Sequence, residues 1–177
     1  VDLNIIHDSR LIERREPLIE EMNRQGIKYK IWDSVECKDS VVKSINLSHK
    51  QIVQYAKDNG IKEIAIGEDD LVFPAPNGWQ FFLRNKPEKY DLYLGCSFLP
   101  LHAKMVCGFH LYCIQEQFYD AFLSVDETKH IDTAMDDLKG DYVWCYPYPA
   151  LQRPSWSANN KAQVNYNAVL NKEDIYQ

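Results

Sequence analysis

Glycine is scarce: seven in 177 residues, and none in the polar stretch His7 to Arg15 that follows the first apolar segment. A loop that cradles phosphate with backbone N–H groups needs glycine there, so this sequence has no glycine-rich phosphate fingerprint of the kind a nucleotidyltransferase uses. The five cysteines, Cys37, Cys96, Cys107, Cys113 and Cys145, are odd in number and scattered, with no C-x-x-C pair. That spacing excludes a zinc finger or ribbon, and reduced, partly buried thiols are the simplest account. No apolar run approaches the roughly 20 residues of a membrane-spanning helix, and no basic-then-apolar leader opens the chain. Positive charge is also short, 20 Lys and Arg against 26 Asp and Glu, a net charge of -6. General binders of nucleic acid or anionic membranes depend on basic patches, so no nucleic-acid partner is expected.

What is present reads as one well-cored α/β domain, 45% hydrophobic and 26% charged. No repeat or linker divides it. The domain is expected over residues 1–157, with 158–177 a polar tail that belongs to it or forms a flap. Its organising stretch is Lys62 to Phe73, where the apolar run Ile64-Ala65-Ile66 ends in Glu68-Asp69-Asp70. A run without polar alternation suits a central parallel strand buried on both faces, and ligands of open α/β sheets bind beyond the carboxyl ends of such strands. Strand alternation predicts Glu68 and Asp70 on one face and Asp69 on the other. Two like charges about 6 Å apart repel by about 3 kcal/mol at an effective dielectric near 20, and a hard cation, Mg²⁺ or Mn²⁺, would offset this. A solvated acidic turn is the bland alternative.

Around that stretch the pattern alternates. Leu3 to Ile6 predicts a strand leading into His7-Asp8-Ser9-Arg10. A helix follows, with Pro17 in its first turn, Leu18, Ile19 and Met22 inward, and Gly26 as its stop. Ile27 to Trp32 predicts a second strand and residues 33–43 an exposed connection. Ile45, His49, Ile52, Val53 and Ala56 share a helical face, with His49 expected to be packed rather than a ligand. Further strands are expected over Tyr90–Leu94, Gly108–Ile114 and Tyr142–Cys145, with helices after Asn77-Gly78, over Gln115–Leu123 and after Asp132. Phe98 to Val106 has no clear period, and the proline-rich Tyr146–Ser157 suits an ordered loop or an edge.

The ordered blocks Ile5–Arg15 with Gly26-Ile27, Leu47-Ser48-His49 with Glu68-Asp69-Asp70, Gly108–Tyr112, and Ile131-Asp132 with Gln152 and Ser157 resemble glycosyltransferase family 25, the lipooligosaccharide and collagen-type galactosyltransferases. The resemblance implies a single GT-A-like, Rossmann-like domain with a mixed, mostly parallel sheet flanked by helices. It implies an inverting transfer from a nucleotide-sugar donor to a glycan acceptor in lipopolysaccharide biosynthesis. By the same resemblance Asp70, Glu68 and Asp69 form the metal motif for Mn²⁺ or Mg²⁺, with Asp70 the best direct ligand, Asp132 the general base and Gly108 a donor-side glycine. A cytoplasmic location follows, with peripheral attachment at the inner face of the membrane left open. Two departures stand out: no histidine follows His130, and His7-Asp8 occupies the opening block.

The residues carry alternatives of their own. Arg10, Arg14 and Arg15 are expected to offer charge-assisted bonds to phosphate or to hold the base and ribose, with His7 a further donor contact, while a solvated helix start suits Arg14 at least as well. Asp132 also suits the N-cap of the helix after it. Trp79, Tyr148 and Trp156 offer stacking faces for a sugar or nucleobase, although aromatic residues in a domain of this size are usually core, and His110 and His130 are alternatives for metal or acceptor contact that are more often structural. A noncatalytic GT-A-like binding protein and another nucleotide-dependent transferase remain the rival readings.

Overall fold

Every residue of the first strand, Leu3–His7 (β1), is buried, as the sequence of a strand covered on both faces requires. Leu3 and Ile5 project to one side and meet Leu18 and Met22 of helix Ile12–Gln25 (α1). Ile6 projects to the other, into the cluster that holds Ile52, Val53 and Ala56 of helix Val41–Asp58 (α2). The strand Glu63–Glu68 (β3) divides the same way, with Ala65 toward the α1 side and Ile64 and Ile66 toward the α2 side. The two helices therefore cover opposite faces of one sheet.

The structure is a computed structural model and describes residues 1–97, 106–157 and 161–165. With Tyr29–Asp33 (β2), Leu92–Leu94 (β5), Leu111–Gln115 (β6) and Tyr142–Trp144 (β7), the sheet has six strands in the order β2-β1-β3-β6-β5-β7. β1 pairs in parallel with β2 and β3, β5 pairs in parallel with β7, and β6 runs antiparallel between β3 and β5. The expected mixed, mostly parallel α/β architecture is what forms. Two short helices, Gly78–Arg84 (α3) and Tyr119–Leu123 (α4), complete the layers.

Several boundaries differ from expectation for local reasons. Ile27 does not start β2, because its N–H closes α1 by donating to the Met22 carbonyl at 2.9 Å, behind the left-handed Gly26 (φ 64°). α1 begins at Ile12, so Pro17 lies beyond the first turn. α2 begins inside the stretch expected to be exposed, where the Ser40 hydroxyl accepts from the Lys43 N–H at 3.2 Å. β6 starts only at Leu111, after Gly108 has turned the chain with φ 96°.

The acidic strand does not continue past Glu68: Asp69 and Asp70 form a turn, and Leu71–Val72 (β4) pairs antiparallel with Leu151–Gln152 (β8). The proline-rich segment supplies β8 and then Ser155–Ser157 (β9), which pairs antiparallel with Ala162–Val164 (β10). Residue 157, after which the polar tail is expected, is the last of β9, and β10 beyond it pairs back onto that strand. The segment 98–106, which has no clear period, and the tail beyond 165 lie almost wholly outside the described residues. No described helix is long and apolar enough to cross a membrane.

Candidate functional site

The chain runs from β1 to β2 in one direction along the sheet and from β2 to β3 in the other, so the strand order reverses beside β1. In open α/β sheets a crevice opens beyond the carboxyl ends of the strands at such a point. A cavity of about 470 Å³ lies there. Asp8 and Arg10 line it from the end of β1, Ser34 and Glu36 from the end of β2, and Glu68, Asp69 and Asp70 from the end of β3. Ser44, Ser48 and His49 of α2 form another wall, while Gln152, Ser155, Ser157 and Val164 close it from the β8 to β10 segment.

The three acids converge on this cavity instead of splitting between faces, which corrects the strand-alternation expectation. The reason is that β3 ends at Glu68, so Asp69 and Asp70 occupy a turn where alternation no longer applies. Arg14 organises them. Its Nη1 donates to Asp69 Oδ1 at 2.7 Å and to Asp70 Oδ2 at 3.3 Å, and its Nη2 donates to Ser155 Oγ at 2.9 Å. Burial alone would lower the pKa of Arg14, but the carboxylates of Asp69 and Asp70 overcome it and raise the value. Gln152 Nε2 donates to Asp70 Oδ2 at 2.7 Å. One guanidinium facing two carboxylates leaves a deficit: burial first, then the charges of Glu68 and Asp69, push Asp70 up to about 7.

Donor-side expectations need two corrections. Arg15 is exposed and does not line the cavity; Arg14 does, because it precedes Leu18 and Met22 by one and two turns on the inward stripe of α1. His7 is 1% exposed and lies beneath the turn, its Nδ1 2.8 Å from Asp69 Oδ2, so it holds an acid instead of reaching a donor. Arg10 does line the cavity. Its fork grips Asp8 at 2.7 and 2.8 Å and reaches Glu36 at 3.0 Å, and the Arg10 hydrogen bond holds the Asp8 carboxyl below its ordinary pKa.

Asp132 and Gly108 are brought together, but not to this cavity. Asp132 Oδ2 accepts from the Gly108 N–H at 2.8 Å, and Oδ1 accepts from the Thr133 N–H at 2.8 Å as the cap of a 3₁₀ turn. The expected general base is thus a brace for the turn before β6. Replacing Asp132 by alanine is expected to cost about 1–2 kcal/mol in urea denaturation while leaving nucleotide affinity within a factor of about two, since the cavity loses no charge.

The protein is similar in structure to a glycosyltransferase involved in the glycosylation of the major capsid of PBCV-1, with TM-score 0.53 and 12% identity, covering 84% of this chain and 83% of that one. It is likewise similar to A197 from STIV, with TM-score 0.51 and 16% identity over 92% of each chain. The fold is GT-A-like. No protein-family model and no curated protein sequence matches the chain. Within this GT-A-like frame His49 is packed as expected, its Nδ1 3.0 Å from the Tyr112 hydroxyl, with Nε2 3.3 Å from Glu68 Oε1. His110 is fully buried, and burial pulls its pKa down to about 4. Trp79 and Tyr148 are core residues, while Trp156 lies in β9.

Asp70 Oδ1 is buried with no hydrogen-bond partner among the described residues, and carboxylate oxygens are the ligands Mg²⁺ and Mn²⁺ prefer. Among the described residues no group of three or more His, Cys, Asp or Glu is arranged to hold a metal ion. Asp70 Oδ1 could therefore meet a cation only as one of one or two carboxylate ligands, the rest of the shell coming from phosphate oxygens and water.

Proposed function

We propose that this protein is a glycosyltransferase that uses a nucleotide-sugar donor and transfers the sugar to a glycan acceptor. The observation that carries the reading is the acidic turn Glu68-Asp69-Asp70 at the reversal of strand order, facing a cavity whose volume suits a nucleotide-sized ligand. The GT-A-like fold supports it. The finer reading, membership in family 25 and action on a lipopolysaccharide precursor at the cytoplasmic side, rests on the ordered blocks of the sequence.

Charge explains how a donor would be held. Five carboxylates line the cavity, Asp8, Glu36, Glu68, Asp69 and Asp70, against Arg10, Arg14 and Lys38. Such a wall repels a bare diphosphate, so the diphosphate is expected to enter with Mn²⁺ or Mg²⁺, held by Asp70 with Glu68 or Asp69. A bound cation there supplies a Lewis acid for charge on the leaving diphosphate. Arg14 keeps Asp69 and Asp70 in register, and the exposed Arg10, 61% accessible, is free to exchange Glu36 for a phosphate oxygen. In the transfer, the bond from the anomeric carbon to the diphosphate oxygen breaks with its electron pair on the diphosphate. The acceptor hydroxyl oxygen forms the new bond and gives up its proton. That proton passes to water or to a carboxylate of the acidic turn, since Asp132 does not line the cavity.

One observation favours a second reading, a binding protein without turnover: Arg14 already pairs with Asp69 and Asp70 from within the fold, and His7 Nδ1 lies 2.8 Å from Asp69 Oδ2. A thermal-shift screen of nucleoside diphosphates and nucleotide sugars, with and without Mn²⁺, separates these. The transferase reading predicts Mn²⁺-dependent stabilisation by at least one nucleoside diphosphate, reduced about tenfold or more in affinity by Asp70→Asn, and release of nucleoside diphosphate from the matching nucleotide sugar. Stabilisation without release supports the binding protein, and no shift with any nucleotide contradicts both.

A further inference from the structure

A second, smaller cavity of about 240 Å³ lies against the first, lined by Glu13, Pro17, Arg153 and Gln163. The two share a wall: Arg14, Asp70 and Ser155 line both. That volume is below the roughly 300 Å³ at which drug-sized ligand pockets begin, and suits a small ligand such as a single sugar ring. Its position is fixed to the acidic turn, because the Arg153 N–H donates to the Asp70 carbonyl at 2.6 Å.

The chemistry of this cavity centres on Arg153. Arg14 spends its charge on Asp69 and Asp70, whereas the half-buried Arg153 has only the Pro17 carbonyl, 3.3 Å from Nη2, and no carboxylate within ion-pair distance among the described residues. Glu13 stands exposed on the α1 side and forms no ion pair with it. In a chain of net charge -6, a half-buried guanidinium without an acidic partner beside the proposed transfer site fits an anionic ligand group.

We infer that this second cavity is the acceptor subsite and that Arg153 recognises an anionic group, a carboxylate or a phosphate, on the acceptor sugar. The assignment rests on the transferase reading, since it takes the first cavity for the donor. It places the acceptor across the Asp70 wall from the donor, with Ser155 and Arg14 reachable from both sides.

The test uses the full chain at pH 8, titrated with glucose, glucuronate and glucose 6-phosphate and followed by ligand-observed NMR, with the same titrations on Arg153→Gln and Arg153→Lys. Gln keeps a donor for the Pro17 carbonyl and removes the charge; melting temperatures verify that both variants fold. At least one anionic sugar is expected to bind about tenfold or more tightly than glucose, a preference lost in Arg153→Gln and partly kept in Arg153→Lys. A preference for glucuronate assigns a carboxylate and one for glucose 6-phosphate a phosphate. Equal binding of all three sugars, no binding, or a preference that survives Arg153→Gln overturns the inference. Nucleoside diphosphate binding is measured alongside. If it persists without the anionic preference, only the subsite is refuted; if the Arg153-dependent preference stands while no nucleotide binds, the transferase reading is refuted.

Discussion

Replacing Arg14 by methionine is expected to destabilise the fold by about 3–5 kcal/mol at pH 8, the cost of leaving buried carboxylates without their cation. Arg14 is 16% exposed at its side chain, and its partners Asp69 and Asp70 are 6% and 5% exposed, so water cannot take over the pairing. Methionine fills much of the volume, which isolates the charge. His7 remains beside Asp69, but nothing equivalent remains beside Asp70 except the Gln152 amide. A double variant, Arg14→Met with Asp70→Asn, is expected to recover part of the loss, and urea denaturation of the cycle measures the coupling directly. An Arg14→Met protein as stable as the parent would mean the pair contributes nothing.

Asp70→Asn alone is expected to act in the opposite sense, and only at higher pH. The Asp70 carboxyl is raised from its ordinary value of 3.8 to about 7. Between those values the folded chain holds a proton that the unfolded chain releases. The stability this contributes is fully present below 3.8, falls as pH rises, and is lost above about 7. Three pH units at 1.36 kcal/mol each put an upper bound of about 4 kcal/mol on the swing. The asparagine variant does not titrate, so it should match the parent near pH 4 and exceed it at pH 8. Melting curves across that range decide the matter: a difference that is flat with pH would show that Asp70 ionises normally. A parent stabilised by ionised Asp70, with asparagine worse at pH 8, would reverse the account.

These two effects explain why the acidic turn is worth its cost. A fold selected for stability alone would not place three acids around one guanidinium. The imbalance is a strained local charge distribution of the sort found where a site awaits a cation or a ligand.

Much of the scaffold was legible because its signals are local. The apolar run at Ile64 to Ile66, the inward stripe of α2 and the stop at Gly26 depend on neighbours within a turn or two. The acids were legible too, but not their geometry, since alternation ends where β3 ends. Arg14 could have been preferred to Arg15: it stands four residues before Leu18 and eight before Met22, on the buried face of α1, whereas Arg15 is exposed. Ser155 and Gln152 reach the site only through pairings 141 and 82 residues apart in sequence, which no local pattern encodes. Asp132 illustrates the opposite case. Its two available roles, cap and base, look alike in sequence, and only the bond to the Gly108 N–H separates them.

Hydrogen exchange on the full chain, with and without a nucleoside diphosphate and Mn²⁺, tests the central claim most directly. Bound ligand is predicted to slow exchange at residues 8–14, 34–49 and 68–70, the three strand exits and the helix walls that ring the large cavity. Protection that fell instead at the opposite end of the sheet, around Glu63, Lys86 and Tyr90, or no protection anywhere, would contradict it.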